Sequence, residues 1–274
     1  RNSMQGQRYQ ILDSVRGFTV LSMVLYHACW DLVHLTGRSW GWFQTAGAYV
    51  WQQSICWVFI FLAGLCFNLG RRHVRRGLEL LLLGTAITAV TLFFLPQDPI
   101  IFGILFFLGA ATLLTSCLAP LLLKIPAAAG LGVSAFLFAV LRNVNDGALG
   151  FAAWHWLPVP AAWYELGSAG AFLGFTPAGF HSADYFSLLP WFFLYLAGYF
   201  TGRIWLEQQR EEVCAEAEVG DGGERQLAGG RAAAGSTGPV CCRSLQFLGR
   251  HALAVYISHQ PILLAGLWLL GSGS

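Results

Sequence analysis

Seven apolar runs divide this chain, over 11–33, 49–69, 77–95, 100–118, 124–142, 186–206 and 250–270, and each is close to the length an α-helix needs to cross a bilayer. A span takes about 20 apolar residues at 1.5 Å of rise each. Of the 274 residues 56% are hydrophobic and only 11% are charged, where a soluble domain carries about a quarter. The mean hydropathy is +0.57. The fold class this predicts is all-α: a polytopic membrane helix bundle of about seven transmembrane helices, with residues 1–274 forming a single domain.

The placement of charge then predicts an orientation. With the N-terminus inside, 14 of the 16 basic residues are cytoplasmic, and only Arg38 and Arg142 fall outside. That bias points to an N-in, C-out topology. The outer side instead carries Trp30, Trp40, Trp42, Trp51, Trp154, Trp156 and Trp163, residues suited to an interfacial aromatic belt. Two long connections remain. Segment 143–185 is interrupted by Pro158, Pro160 and Pro177, and reads as an outer lid or a re-entrant piece. An eighth span there would put the arginine-rich segment after it outside, against the charge bias. Segment 207–240 is rich in Glu, Gly and Ala with no apolar period, and reads as a mobile cytoplasmic loop with at most a short helix at its start. The seven cysteines show no metal-binding or disulfide spacing and read as free thiols. No metal is expected.

Polar residues inside the apolar runs are costly, so they normally face a bundle interior or a wet cavity and carry function. In the first run Arg16 and His27 are eleven residues apart, which returns the helix to the same face. Asp31 follows His27 at i+4, and Asp13 precedes Arg16 at i−3. Asp13, Arg16, His27 and Asp31 therefore form one stripe. A histidine backed by a carboxylate is what general-base chemistry needs, and a purely structural polar network is the alternative. Other runs supply polar groups that could meet this stripe in a cavity open to the outside: Gln52 and Gln53, Asp184 and Tyr185 with Trp191, and Tyr256, His259 and Gln260. Pro261 inside the last run frees a carbonyl there. On the inner side, Arg71, Arg72, Arg75 and Arg76 of RRHVRR, with Asn68 just before them, form a positive patch. It serves topology and anionic lipid, or it seats a phosphate-bearing donor.

With these residues in view, the opening RYQILDSVRGFTVLSMVLYHACWDL resembles the start of the heparan-alpha-glucosaminide N-acetyltransferase catalytic-domain family in its short prokaryotic form. The Arg16–His27 spacing is also similar to the first-helix motif of the broader membrane acyltransferase group that decorates bacterial surface glycans. Three further stretches fit: VFIFLAGLCFNLGRR at 58–72, FHSADYFSLLPWFFLYLAGYFTGR at 180–203 and LGRHALAVYISHQPIL at 248–263. One position departs from the pattern, since Phe106 stands where a polar residue is expected.

The resemblance implies a membrane-embedded acyltransferase in a prokaryotic cytoplasmic membrane. It would take an acetyl or similar acyl group from cytoplasmic acetyl-CoA to an amine or hydroxyl of a sugar on the far side. Arg16 and His27 match the first-helix motif; Tyr256, His259 and Gln260 match the last. Together with the helical spacing that sets Asp31 beside His27, the expected catalytic set is His27, Asp31 and Arg16. Donor binding falls to Arg71, Arg72, Arg75, Arg76 and Asn68. Acceptor binding falls to Gln52, Gln53, Asp184, Tyr185, Trp191, Tyr256, His259 and Gln260. The expected partners are the lipid bilayer, acyl-CoA and a glycan or amino-sugar acceptor, with no nucleic acid; a homodimer is compatible with the pattern. The rival reading is a transporter or channel with the Arg–His–Asp stripe along a permeation or proton path, weakened by the absence of repeat symmetry.

Overall fold

The computed structural model describes residues 2–35, 40–220 and 240–271. It is mostly helical: α1 (Asn2–Leu35), α2 (Ala46–Phe67), α3 (His73–Phe94), α4 (Ile104–Leu122), α5 (Ala127–Val140), a two-stranded hairpin of β1 (Ala148–Phe151) and β2 (Trp154–Pro158), α6 (Gly167–Leu173), α7 (Leu188–Gly220), α8 (Val240–Arg250) and α9 (Ala252–Gly271). Among the described residues, four segments are long and apolar enough to cross a membrane: Ala46–Phe67, His73–Phe94, Ile104–Leu122 and Ala127–Asp146. These answer to four of the seven apolar runs. Of the other three, 11–33 lies within α1, while 186–206 and 250–270 start two residues ahead of α7 and α9; these helices carry charged, aromatic or proline residues along their length. The chain forms two compact units, Arg1–Phe59 with Glu224–Ser274, and Ile60–Gly223, and the division falls inside α2.

In the second unit, helices meet through glycine. α3 and α4 run antiparallel, with Gly77 against Leu113 and Gly109, and Gly84 against the backbone of Phe106. The end of α2 runs parallel to α7. A Cβ on Gly64 would stand 1.9 Å from the Tyr195 carbonyl oxygen, and one on Gly198 would stand 2.0 Å from that of Phe61. Gly130 of α5 leaves room for the ring of Phe200 on α7. Among apolar helices in lipid, burial gives no preference for helix over acyl chain, so close backbone approach supplies the attraction. Phe106 is thereby explained as a packing residue. Its backbone fills the gap at Gly84, and its ring meets Phe102 and Phe172 at 5.4 and 5.8 Å.

This arrangement gathers charge at one end of the unit. The end of α2, the start of α3, the end of α4 and the middle of α7 bring Asn68, Arg71, Arg72, Arg75, Arg76, Lys124 and Arg203 to the same end. Arg203 donates to the carbonyls of Leu122, the last residue of α4, and Ile125 in the turn after it, both at 2.9 Å, and so ties α7 to the end of α4. The opposite end is built from loops. Buried Asn143 donates through its amide to the carbonyls of Ala152 at 2.8 Å and Trp154 at 3.2 Å, which ties the β1–β2 hairpin to the end of α5. Asp184 accepts the N–H of Ile104 at 3.1 Å and caps α4.

Segment 143–185 is therefore a folded cap of hairpin, short turns and the seven-residue α6, with no helix long enough to span. Segment 207–240 differs from the expected loop. α7 continues through Gly220, because EQQREEVCAEAEV is made of strong helix formers even though it has no apolar face. Helix α8 begins at Val240, and the remainder of that expected loop, 221–239, lies outside the described residues.

In the first unit, α1 packs on α8 in the same glycine manner. A Cβ on Gly17 would stand 1.9 Å from the Leu245 carbonyl oxygen, and one on Gly249 would stand 1.9 Å from that of Asp13. The opposite face of α1, with Ile11, Val15, Phe18, Leu21 and Leu25, is exposed and apolar, as a lipid-facing stripe should be.

Replacing Gly198 by Leu is expected to destabilise the protein by ~3 kcal/mol or more, because the new side chain meets backbone that cannot rotate away. Thermal unfolding of the purified variant in detergent, followed by tryptophan fluorescence, measures this. Leu at Gly132, where nothing lies within 4 Å of the added Cβ, should leave the transition within about 0.5 kcal/mol of wild type.

Candidate active site

The polar stripe of α1 meets α9. Asp31 is fully buried, at 0% exposure, and such a carboxylate needs strong partners. Gln260 supplies one: its amide nitrogen donates to both carboxylate oxygens, at 3.1 and 3.3 Å. One turn earlier on α1, the ring of His27 faces the ring of His259 with centroids 4.9 Å apart and planes at 52°. α9 thus presents His259 and Gln260 to His27 and Asp31, matched pair by pair, as the i, i+4 spacing of α1 allows.

His259 is itself held. Its Nδ1 lies 2.6 Å from the carbonyl oxygen of Tyr256, and the Tyr256 ring stands 5.7 Å from it. A carbonyl only accepts, so Nδ1 carries the hydrogen. Tyr26, next to His27, packs its ring at 5.3 Å on both Phe43 and Trp51, and Trp51 donates from its indole to Ser22 at 2.8 Å. These contacts steady α1 against the start of α2 beside the histidine pair.

Arg16 stands apart from this cluster. Eleven residues along a helix separate it from His27 by ~16 Å. Its guanidinium reaches Asp13 at 3.5 Å, and Asp13 also accepts from Arg250 at 3.3 Å, where α8 ends. The stripe is therefore two clusters on one face: an ion triad at one level, and the His27–Asp31 group at another.

Of the other residues singled out by sequence, Gln52 is exposed on α2, and Gln53 accepts the indole N–H of Trp57 at 3.2 Å. Asp184, Tyr185 and Trp191 belong to the second unit. Asp184 caps α4, as described above. Tyr185 donates to the carbonyl of Ala171. Burial pushes its phenol up to about 12, against the weaker opposing pull of Ser187 and Asn145, so it remains a donor. Trp191 is buried, with the Arg142 guanidinium 5.0 Å over its ring.

At the basic end of that unit, Arg71, Arg72, Arg75 and Arg76 are all exposed, and Arg75 pairs with Glu79 at 2.8 Å. Phe67 and His73 stack beside them, centroids 3.9 Å apart. Asn68 donates to the Tyr199 carbonyl at 2.8 Å, so its amide locks α2 to α7. Sequence reading counted Arg203 only as a basic residue and missed its part in closing the end of α4. It also missed α8 as a helix, although the glycines at 17 and 249 were the signal for its close approach to α1.

Removing the Asp31 carboxylate should leave the buried Gln260 amide without its acceptor. Asp31→Ala is expected to cost about 1–3 kcal/mol in stability, read from thermal unfolding in detergent. Asp31→Asn, which keeps one carbonyl oxygen for the amide, should recover part of that loss.

The comparisons with known proteins bear on this geometry. No curated protein and no solved structure matches the chain. The family described as heparan-alpha-glucosaminide N-acetyltransferase, catalytic, matches over residues 8–232, which takes in His27, Asp31, the four arginines of 71–76 and the whole of the second unit. This chain belongs to the heparan-alpha-glucosaminide N-acetyltransferase catalytic-domain family.

Proposed function

We propose that this protein is a membrane-embedded acyltransferase that moves an acetyl or similar acyl group from acyl-CoA to an amine or hydroxyl of a sugar on the far side of the membrane. The observation that carries the proposal is the His27–His259 pair, 4.9 Å between ring centroids, set beside a fully buried carboxylate. An imidazole can take up a proton near neutral pH, which is what a general base must do. In this reading His27 is the base, or the transient carrier of the acyl group, and Asp31 acts through Gln260 to fix α9 in register with α1.

The donor's phosphates are assigned to Arg71, Arg72, Arg75 and Arg76. Guanidinium forks suit phosphate oxygens better than point charges do, and all four stand exposed at the basic end of their unit. The basic end is placed at the cytoplasmic face by the positive-inside rule, with the N-terminus inside, seven spans, and a prokaryotic cytoplasmic membrane as the setting. The Phe67–His73 stack offers a flat apolar surface beside the arginines on which an adenine could lie. Asn68, held by α7, supports this end rather than contacting the donor.

His27→Ala should abolish acyl transfer, lowering the rate by ~10²-fold or more, while the protein still inserts and elutes as wild type. Radiolabelled acetyl-CoA with the purified protein measures this, and undiminished turnover would remove His27 from the mechanism. The double substitution Arg71→Ala with Arg72→Ala should weaken CoA binding by about tenfold through lost charge-assisted contacts. Calorimetry with CoA decides this; equal affinities would leave the arginines only a topological role.

A further inference from the structure

Two buried hydrogen-bond acceptors on α9 have nothing to accept from among the described residues: Nε2 of His259 and Oε1 of Gln260. Buried polar atoms in native proteins are nearly always paired, so each such atom calls for an explanation. The chemistry of both atoms is settled by what the other end of each side chain does. His259 gives its Nδ1 hydrogen to the Tyr256 carbonyl at 2.6 Å, which leaves the lone pair of the neutral ring on Nε2. Gln260 turns its amide nitrogen to the Asp31 carboxylate at 3.1 and 3.3 Å, which leaves its carbonyl oxygen as the other end. His259 is 8% exposed and Asp31 is 0% exposed, so bulk water is remote from both. The two side chains are neighbours on α9, and both face the His27–Asp31 stretch of α1.

Resting on the acyl-transfer reading above, we propose that Nε2 of His259 and Oε1 of Gln260 form the seat of the nucleophile, and that this seat selects an uncharged N–H- or O–H-bearing group and rejects the acyl thioester. An amine or a hydroxyl brings the hydrogens that these two acceptors lack. A thioester carbonyl brings only lone pairs, and lone pairs set against Nε2 and Oε1 would repel and leave both acceptors unfilled. Selectivity of this kind is steep, because a ligand without the hydrogens buries the site's acceptors unpaired. The Tyr256 carbonyl and the Asp31 carboxylate then act as positioning groups: the first sets the tautomer of His259, and the second sets the rotation of the Gln260 amide. Of the two roles given to His27 above, this seat favours the second, transient carrier of the acyl group, across the 4.9 Å ring pair.

The test measures binding without any transfer. Purified protein in lipid nanodiscs is titrated by calorimetry with glucosamine, with glucose, and separately with CoA, comparing wild type with His259→Phe and Gln260→Met. Both variants keep much of the side-chain volume; each removes its acceptor together with the donor at the other end of the side chain, so folding is checked by elution profile and thermal unfolding before affinities are compared. Sugar binding should weaken by ~10-fold or more in each, while CoA binding stays as in wild type. Equal sugar affinity in wild type and both variants overturns the proposal, as does a parallel loss of CoA affinity, or failure of wild type to bind either sugar. A measurement that needs no variant is the ¹⁵N spectrum of histidine-labelled wild type. His259 should be protonated at Nδ1, and a proton on Nε2 in its place would overturn the assignment. Should wild type bind sugar at this seat yet transfer no acyl group from acetyl-CoA, the acyl-transfer reading fails while the seat stands.

Discussion

Close backbone approach at glycine is the interaction on which the rest of the structure depends. In each unit the principal helix contacts are made where a side chain is missing: Gly17 and Gly249 between α1 and α8, Gly64 and Gly198 between α2 and α7, and Gly84 between α3 and α4. A soluble bundle could hold its helices together by hiding apolar surface from water. Helices that face acyl chains gain little that way, and attraction must come from dense packing and short-range contacts. A Cβ at these positions would stand about 2 to 2.5 Å from backbone atoms of the neighbouring helix, so the interfaces cannot exist with any other residue. Exposed residues such as Leu82, Phe93 and Phe136 are left to the lipid, which is where a membrane bundle puts its large apolar side chains.

Against this background the polar residues do a different kind of work in each unit. In the second unit they close ends. Arg203 bonds the last carbonyl of α4 and one in the turn after it, Asp184 caps its start, Asn143 anchors the hairpin and Asn68 ties α2 to α7. Each replaces a hydrogen bond that water would make in a soluble protein. In the first unit the polar residues lie inside the helix pair instead. Asp31 and Gln260 are joined across α1 and α9, and the two imidazoles face each other one turn away. A buried carboxylate that is bonded on both oxygens makes the alignment of the two helices specific, since a slip of one residue would strand it. The alignment that satisfies Asp31 is the same one that brings His259 opposite His27.

The separation of Arg16 from His27 bears on mechanism. Sharing a face does not mean sharing a site: eleven residues of helix are ~16 Å, and Arg16 is bound up with Asp13 in an ion triad that includes Arg250. Arg16 lies in the region where α8 crosses α1, with Asp13 and Arg250 beside it.

Much of this was legible in the sequence, and the reasons are physical. Apolar runs of spanning length must be helical in lipid, so the all-α class and four of the spans could be read directly. Helical periodicity put His27 and Asp31 on one face, and the cost of burying them marked that face as inward. The arginine cluster announced itself by charge. Family membership rests on the match over residues 8–232, which takes in the first-helix motif; the last-helix motif at 248–263 lies outside it. What the sequence by itself could not determine is which partner each polar side chain takes, because that is set by contacts between residues far apart in the chain. Asp31 pairs with Gln260, 229 positions away, and nothing in either segment names the other. Asp184 accepts the first N–H of α4, a contact visible only once α4 begins beside it. The same holds for 207–220, where the lack of an apolar face argued for a loop but strong helix formers carried α7 onward. Local rules decide which segments are helices and which faces turn inward; tertiary packing alone decides which inward groups meet.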